Sequence, residues 1–351
     1  MVEKTIPGFE GILDSRDYKY DLFNTDIEHY KVRRYGESVF GGGSKELKAV
    51  VSKLYGISSK NVCILEGGCS NANFLVFYAL LNKGDEVLVE NPGYQPLYIN
   101  PQIFGAKVIR FDRKFDNKFQ LDLKDILKKV NKKTKMIVLT NFYNPGGVKL
   151  NEKDLLVLLK EAERKKIYVF CDETYSDPLI KKDIKSIGSL SKYGIGTYGL
   201  SKKYGLSTLR CGIVVANEEI IDKIIKASYT SIAVNSGLLE KEWLKFFKKN
   251  IYKLNKRSEK ILNKNYKILR NMLISRNDIE WVEPEKGSSV CVLKFGGIQD
   301  IKRFRELLEE NDIRLAISDE GLVRMGLGGN TRMFKKGIIK LNNLLDKKKS
   351  I

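Results

Sequence analysis

Gly199-Leu-Ser-Lys-Lys-Tyr-Gly-Leu-Ser-Thr-Leu-Arg-Cys-Gly212 sets Lys202 just past a short β-rich run, with a glycine after it and Arg210 eight residues on. Upstream, Cys171-Asp172-Glu-Thr-Tyr175 puts an acid and a phenol at the end of another such run, 167–171. Asn141-Phe-Tyr-Asn144-Pro145-Gly-Gly147 closes the run 136–139, and Asn91-Pro92-Gly93-Tyr94 follows the run 86–89. Each of these stretches stands just past the carboxyl end of a predicted strand, which is where open α/β sheets bind their ligands.

From about residue 45 to 235 the same alternation continues in both directions. Apolar patterning predicts strands over 62–65, 86–89, 106–111, 136–139, 167–171, 197–200 and 211–216. Between them it predicts helices over 71–81, 123–130 and 152–164. Strand-helix-strand order argues for a large, doubly wound, mostly parallel α/β sheet covered on both faces. After about residue 236 the pattern changes to a lysine-rich helical stretch, 238–273, with Leu244, Phe247, Ile251, Leu254, Ile261 and Leu262 at helical spacing. Strands over 288–295, 313–317 and 322–325 and helices over 301–311 and 334–345 complete a smaller α+β unit. The expected organisation is an N-terminal arm over 1–40 belonging to the small domain, a large domain over 41–235 and the small C-terminal domain over 236–351.

Composition removes several classes of function. The 351 residues are 42% hydrophobic with 7 prolines and 29 glycines, enough apolar mass for a sizeable core and wrong for a collagen-like or disordered chain. The apolar runs are too short to span a bilayer, and no charged-then-apolar leader precedes Pro7, so a soluble, cytoplasmic protein is expected. Five cysteines at 63, 69, 171, 211 and 291 form no Cys-x-x-Cys pair and read as small buried hydrophobes. His29 is the single histidine, in a stretch that reads as surface or packing, so histidine-dependent catalysis and a histidine-built zinc site are nearly excluded. The net charge of +20 comes mostly from lysine pairs such as Lys128-Lys129, Lys248-Lys249 and Lys335-Lys336 along helices. Phosphate-gripping proteins favour arginine and clustered aromatics, so a solvated surface is preferred to a nucleic-acid face.

Taken singly, each motif has an ordinary structural reading: a glycine turn, a surface lysine pair, a core tyrosine, a plain loop. Their joint order, each at a strand end, is what points to one chemistry. In that order the chain resembles the fold-type-I pyridoxal-phosphate enzymes of the class I/II aminotransferase family, along nearly its whole length. The resemblance implies pyridoxal 5'-phosphate as cofactor, with Lys202 as the lysine that attaches it. Asp172 corresponds to the acid that keeps the pyridine nitrogen protonated, Tyr175 and Asn144 to the groups on the ring oxygen, and Tyr94 to the aromatic that stacks on the ring. Arg210 and Ser201 correspond to phosphate ligands, and Arg324 to the arginine that grips the substrate α-carboxylate, beside Asn144.

Such a set fits the chemistry the resemblance implies. An acid against the pyridine nitrogen deepens the cofactor's electron sink, and a neutral lysine amine can move the Cα proton. A planar guanidinium takes a carboxylate through two parallel hydrogen bonds. Gly67-Gly68-Cys69-Ser70-Asn71-Ala72 opens a helix whose free N–H groups form an anion site, expected to close near Gly84. Cys69, through its backbone more than its thiol, and Ser70, with its hydroxyl, are assigned to the phosphate there. The family also brings a tyrosine from a neighbouring subunit to this phosphate, for which Tyr35 is the candidate, and it implies a homodimer.

The chain departs from the family pattern at Phe142 and Gly146 in the asparagine-proline loop, at Gly199 three residues before the lysine, and at Thr208 and Cys211 around Arg210. The stretch 228–236 lacks the second arginine that dicarboxylate-specific members use. The phosphate-reading arginine of histidinol-phosphate aminotransferases would fall near Ala316, with Arg314 two residues earlier. The expected activity is amino-group exchange between a neutral or aromatic amino acid and a 2-oxo acid. A lyase or decarboxylase on the same scaffold is the first rival, and a non-catalytic nucleic-acid binder the second.

Overall fold

The computed structural model describes Val39 and residues 41–176, 178–180, 184–318 and 321–346. The first helix, α1 (Lys45–Tyr55), begins where the Ser44 hydroxyl accepts the Leu47 N–H and ends at Gly56 in the left-handed region. There follow β1 (Val62–Leu65), α2 (Gly68–Leu80), β2 (Glu86–Asn91), α3 (Pro96–Ile103), β3 (Lys107–Asp112) and α4 (Leu123–Lys129). Next come β4 (Thr134–Thr140), α5 (Glu152–Arg164), β5 (Tyr168–Asp172), β6 (Gly194–Gly199), α6 (Leu200–Tyr204), β7 (Gly212–Ala216) and α7 (Glu218–Tyr229). The remainder is α8 (Gly237–Lys245), a π-helical turn Phe246–Asn250, α9 (Ile251–Ile274), β8 (Ile279–Val282), β9 (Val290–Phe295), α10 (Ile301–Glu310), β10 (Ala316–Ile317), β11 (Leu322–Gly326) and α11 (Thr331–Asp346).

Seven strands form one sheet in the order β1-β7-β6-β5-β4-β2-β3. All neighbouring pairs are parallel except those of β7, which runs antiparallel to both β1 and β6. Strands β1, β4, β5, β6 and β7 are almost wholly buried, because helices cover both faces. On one face α2 and α7 pack Leu75, Val76, Leu80, Ile220 and Ile224 against Val87, Met136, Val138 and Val214. On the other, α5 sets Leu155, Leu158 and Leu159 over Leu88, Ile137, Leu139 and Val169, while Trp243 of α8 joins Leu47 of α1 and Ile213.

A second sheet, β10-β11-β9-β8, is antiparallel throughout and packs with α9, α10 and α11 around Leu269, Leu293, Phe304, Val323 and Leu341. The two sheets meet through Phe119, Tyr143 and Val148 on one side and Val282 and Val292 on the other.

The predicted strands all form, with ends shifted by a few residues. Helix α2 starts at Gly68, not at 71, and stops at Leu80; Gly84 sits in the turn before β2 with φ +91. Helix α3 escaped sequence reading because Pro96 and Pro101 interrupt its pattern. Helix α7 carried a readable start, Asn217, whose side chain accepts the Ile220 N–H.

Gly147 is the tightest joint between the sheets. Its φ is +72, its carbonyl accepts the Glu285 N–H at 2.9 Å, and a Cβ there would run into the Val290 carbonyl oxygen. Gly147→Ala should therefore lower stability by about 2–4 kcal/mol. Urea unfolding of the two proteins would measure the loss, and an unchanged midpoint would count against this packing.

Candidate active site

Strand register assembles the centre of the site. Thr140 of β4 stands beside Asp172 of β5, which stands beside Thr197 of β6. Gly199 at the end of β6 faces Gly212 at the start of β7, and Leu65 at the end of β1 faces the same glycine. The carboxyl ends of β1, β5 and β6 and the loops after β2 and β4 thus open on one edge.

Asp172 is 6% exposed. Its Oδ2 accepts Asn73 Nδ2 at 2.8 Å, and its Oδ1 accepts the Thr174 N–H at 3.0 Å and the Cys69 thiol at 3.5 Å. Asn73 Oδ1 accepts the Thr197 hydroxyl at 2.6 Å, so one amide on α2 ties two strands together. Burial pushes the Asp172 carboxyl above its usual value, and the Asn73 and Thr174 bonds pull it back. Burial also pushes the Cys69 thiol well up, with Asp172 adding to the rise, so the sulfur keeps its proton and acts as a donor. The sequence expectation ranked the backbone of Cys69 above its thiol; the structure adds a contact for the thiol.

Beside this carboxylate lies an anion cradle. Helix α2 starts at a Gly67-Gly68 turn, both glycines at positive φ, with no side chain capping its first N–H groups. Gly68 itself donates to the Arg210 carbonyl at 2.7 Å, and Arg210 Nη2 donates to the Gly67 carbonyl at 2.6 Å. A Cβ on Gly68 would stand 2.9 Å from that guanidinium, so the close approach needs glycine. Arg210 is itself left-handed at φ +44, and the preceding residue is held by Trp243, whose Nε1 donates to the Leu209 carbonyl at 2.7 Å. Cys69 and the exposed Ser70 occupy the first turn of α2, while the half-buried Ser201 opens α6.

Two of the family departures have a steric cause. A Cβ at Gly199 would lie 3.0 Å from Cys69 Cβ, and one at Gly146 would lie 2.6 Å from Phe119 Cδ2. A side chain at Gly146 would have to shift the Phe119 ring, and one at Gly199 would crowd Cys69.

Lys202, in the single-turn helix after β6, has its Nζ 5.9 Å from the Tyr175 ring centroid. Burial pushes the Tyr175 phenol up; the Arg324 guanidinium opposes this, while Asp172 and Tyr94 reinforce it. Those three residues therefore share the pocket with Tyr175. Arg324 comes from β11 of the second sheet, and its Nη1 donates to Asn144 Oδ1 at 3.2 Å. The structure thus gathers Cys69, Asp172, Tyr175, Lys202, Tyr94, Asn144, Arg210 and Arg324 at one edge. Tyr35 lies outside the described residues. Arg314 is exposed and precedes β10, where Ala316 pairs directly with Arg324.

Residues 25–338 match the family model for aminotransferase class I and II. The chain belongs to the aminotransferase class I and II family. It is similar to an aspartate aminotransferase of Sulfolobus acidocaldarius, 31% identical over 52% of this chain and 48% of that one. It is also similar to an aspartate aminotransferase of Pyrococcus horikoshii, 28% identical over 82% of this chain and 75% of that one. A crystal structure of a PLP-dependent aminotransferase from Streptococcus suis superposes with a TM-score of 0.80 at 27% identity, covering 87% of this chain and 82% of that one. The matches to the first two curated relatives span about half of their lengths, 48% and 45%.

Pyridoxal phosphate is the cofactor this membership brings, and the residues fit it. Asp172 is a buried carboxylate held by three neutral donors, and none of the ion pairs among the described residues involves it. Such a group calls for a cationic partner, which a protonated ring nitrogen supplies. The α2 start and Arg210 together suit a phosphate dianion.

Sequence reading missed Asn73 and Thr197, which carry no motif; a polar residue one turn after Cys69 in an otherwise apolar helix was the available signal. It also missed Glu173, the neighbour of Asp172. Glu173 is 1% exposed, accepts the Ile187 N–H at 2.7 Å and lies against Gly196. Burial pushes its carboxyl from 4.5 up to about 8. Between those values the folded chain keeps a proton that the unfolded chain has lost, so stability falls as pH rises through that window. In Glu173→Gln this component is gone. The variant's unfolding free energy should gain about 3–5 kcal/mol relative to the parent between about pH 5 and about pH 8.5. Urea titrations at both ends of the range measure this, and parallel behaviour of the two proteins would disprove it.

Proposed function

We propose that this protein is a pyridoxal-phosphate-dependent aminotransferase, working as a homodimer, that moves an amino group between a neutral or aromatic L-amino acid and a 2-oxo acid. The observation that carries the reading is the meeting of the uncompensated Asp172 carboxylate with the Lys202 amine across Tyr175. In this reading the domain division at residues 40 and 235 sets the pocket between the two sheets.

The bound cofactor supplies an electron sink for the carbanion left at the substrate Cα. Asp172, aligned by Asn73, Thr174 and Cys69, would hold a proton on the ring nitrogen. Lys202 would attach the cofactor and, as a neutral amine, would take the proton from Cα. Tyr175 and Asn144 would serve the ring oxygen, and Tyr94 the ring. Arg210, Ser201, Ser70 and the Cys69 N–H would hold the phosphate, and Tyr35, outside the described residues, is the proposed contribution of a partner subunit. Arg324, steadied by Asn144, takes the α-carboxylate through a bidentate pair.

Three features support the substrate class. No arginine occurs over 228–236 to meet a distal carboxylate. Ala316, opposite Arg324, leaves no guanidinium at the position where a substrate phosphate would be read. Tyr94, 39% exposed, offers apolar surface at the rim.

Absorption spectra test this directly. Purified protein with pyridoxal phosphate should develop the yellow band of lysine-bound cofactor, and Lys202→Ala should lack it. Titration with single amino acids should bleach the band with a neutral or aromatic donor well before aspartate. Bleaching by aspartate first would overturn the substrate class. Release of pyruvate and ammonia without amino transfer would replace transamination by elimination.

A further inference from the structure

Behind the loop that carries Asn144 lies a fully buried acid–base pair that the reading above does not use. Glu90 is the penultimate residue of β2, and Arg113 follows β3 directly. Arg113 Nη1 meets Glu90 Oε2 at 2.8 Å, with side chains 0% and 1% exposed. An apolar pair of equal volume would serve stability as well or better. The reason for these charges is therefore to be sought in what they hold.

They hold both loops of the pocket. Glu90 Oε1 accepts the hydroxyl of Thr140, the last residue of β4. With its proton committed there, the Thr140 oxygen keeps a lone pair for the Asn144 backbone N–H, 3.0 Å away. Asn144 Oδ1 in turn accepts from Arg324. On the other side Arg113 Nε donates to the Phe119 carbonyl at 2.6 Å, and its guanidinium lies 3.8 Å over the Tyr143 ring. The Tyr143 hydroxyl donates to the Pro92 carbonyl at 2.6 Å, two residues before Tyr94. Both Glu90 oxygens act as acceptors, and this sets the direction of the Thr140 hydroxyl, which could otherwise point either way.

We propose that the buried Glu90–Arg113 pair is the positioning unit of the substrate-carboxylate clamp, placing Asn144 through Thr140 and Arg324 through Asn144. The inference rests on the aminotransferase reading for what the clamp holds. Glu90 and Arg113 touch neither substrate nor cofactor; they act through the loop. A glutamine at position 90 keeps the volume but turns one acceptor into a donor. Set against Thr140, that donor takes away the acceptor of the Thr140 proton, so the hydroxyl must turn and the lone pair now aimed at the Asn144 N–H turns with it.

The test uses the cofactor-loaded protein and the amino acid that bleaches its band fastest. Glu90→Gln should keep the band, while the second-order rate constant of bleaching falls about tenfold, equivalent to about 1.4 kcal/mol. In an Arg324→Lys background the same substitution should change that constant less than about twofold, because the clamp it serves is already broken. Thr140→Val, which cuts the link from the other side without touching the charges, should behave like Glu90→Gln. Hydrogen exchange of the Asn144 amide should accelerate in both variants while the strand amides of β4 and β5 keep their rates. Full multiplication of the Glu90 and Arg324 effects, or an unchanged Asn144 amide, would overturn the proposal. If no amino acid bleaches the parent protein, the aminotransferase reading fails separately, and the exchange measurement alone decides the positioning role.

Discussion

A carboxylate buried at the end of β5 is the constraint on which the rest of the pocket depends. Left alone, an ionised Asp172 at 6% exposure would cost several kcal/mol. The fold offsets this with donors from two separate elements: Asn73 and Cys69 from α2, and the turn after β5. Because Asn73 also takes the Thr197 hydroxyl, α2 is locked to β5 and β6 at once. The start of α2 is therefore fixed against the same strands, and with it the anion cradle under Arg210. The acid end and the phosphate end of the pocket are two consequences of one set of hydrogen bonds.

Three buried acids near this edge show how partners decide the state of a carboxyl group. Asp172 has neutral donors and awaits a cation. Glu90 has one, Arg113, which together with the Thr140 hydroxyl opposes the rise that burial causes. Glu173 has only a backbone N–H and a serine hydroxyl near it, and burial carries it higher still. Adjacent residues 172 and 173 thus hold opposite roles, since alternation along β5 sends one side chain to the pocket and the other between β6 and the turn at Ser186.

What was legible in the sequence is what is written locally. Strand ends followed by Asn-Pro, Asp-x-x-Tyr or a lysine announce themselves in one dimension, and so did the alternation that builds the large sheet. The partners that tune those residues do not. Asn73 and Asp172 are 99 positions apart and meet only because α2 packs on the sheet; Thr140 and Glu90 are 50 apart and meet only because β2 and β4 are neighbours. The apparent losses at Gly146 and Gly199 also read differently in three dimensions, because Phe119 and Cys69 fill the space a larger side chain would need. The thiol of Cys69, ranked below its backbone in the sequence reading, is the same case: its contact is with Asp172, far along the chain.

The proposed carboxylate clamp adds a geometric condition. Asn144 belongs to the loop after β4, whereas Arg324 belongs to the second sheet, so their 3.2 Å contact measures how the two sheets sit. That placement is held by Phe119 and Tyr143 against Val292, and by the Gly147 backbone against Glu285 and the start of β9. Tyr143 is also the ring on which Arg113 lies. The same aromatic thus seals the apolar joint and anchors the buried charge pair. A change that loosens the joint must move Asn144 relative to Arg324, so under the proposed function packing between the sheets and grip on the substrate are one property.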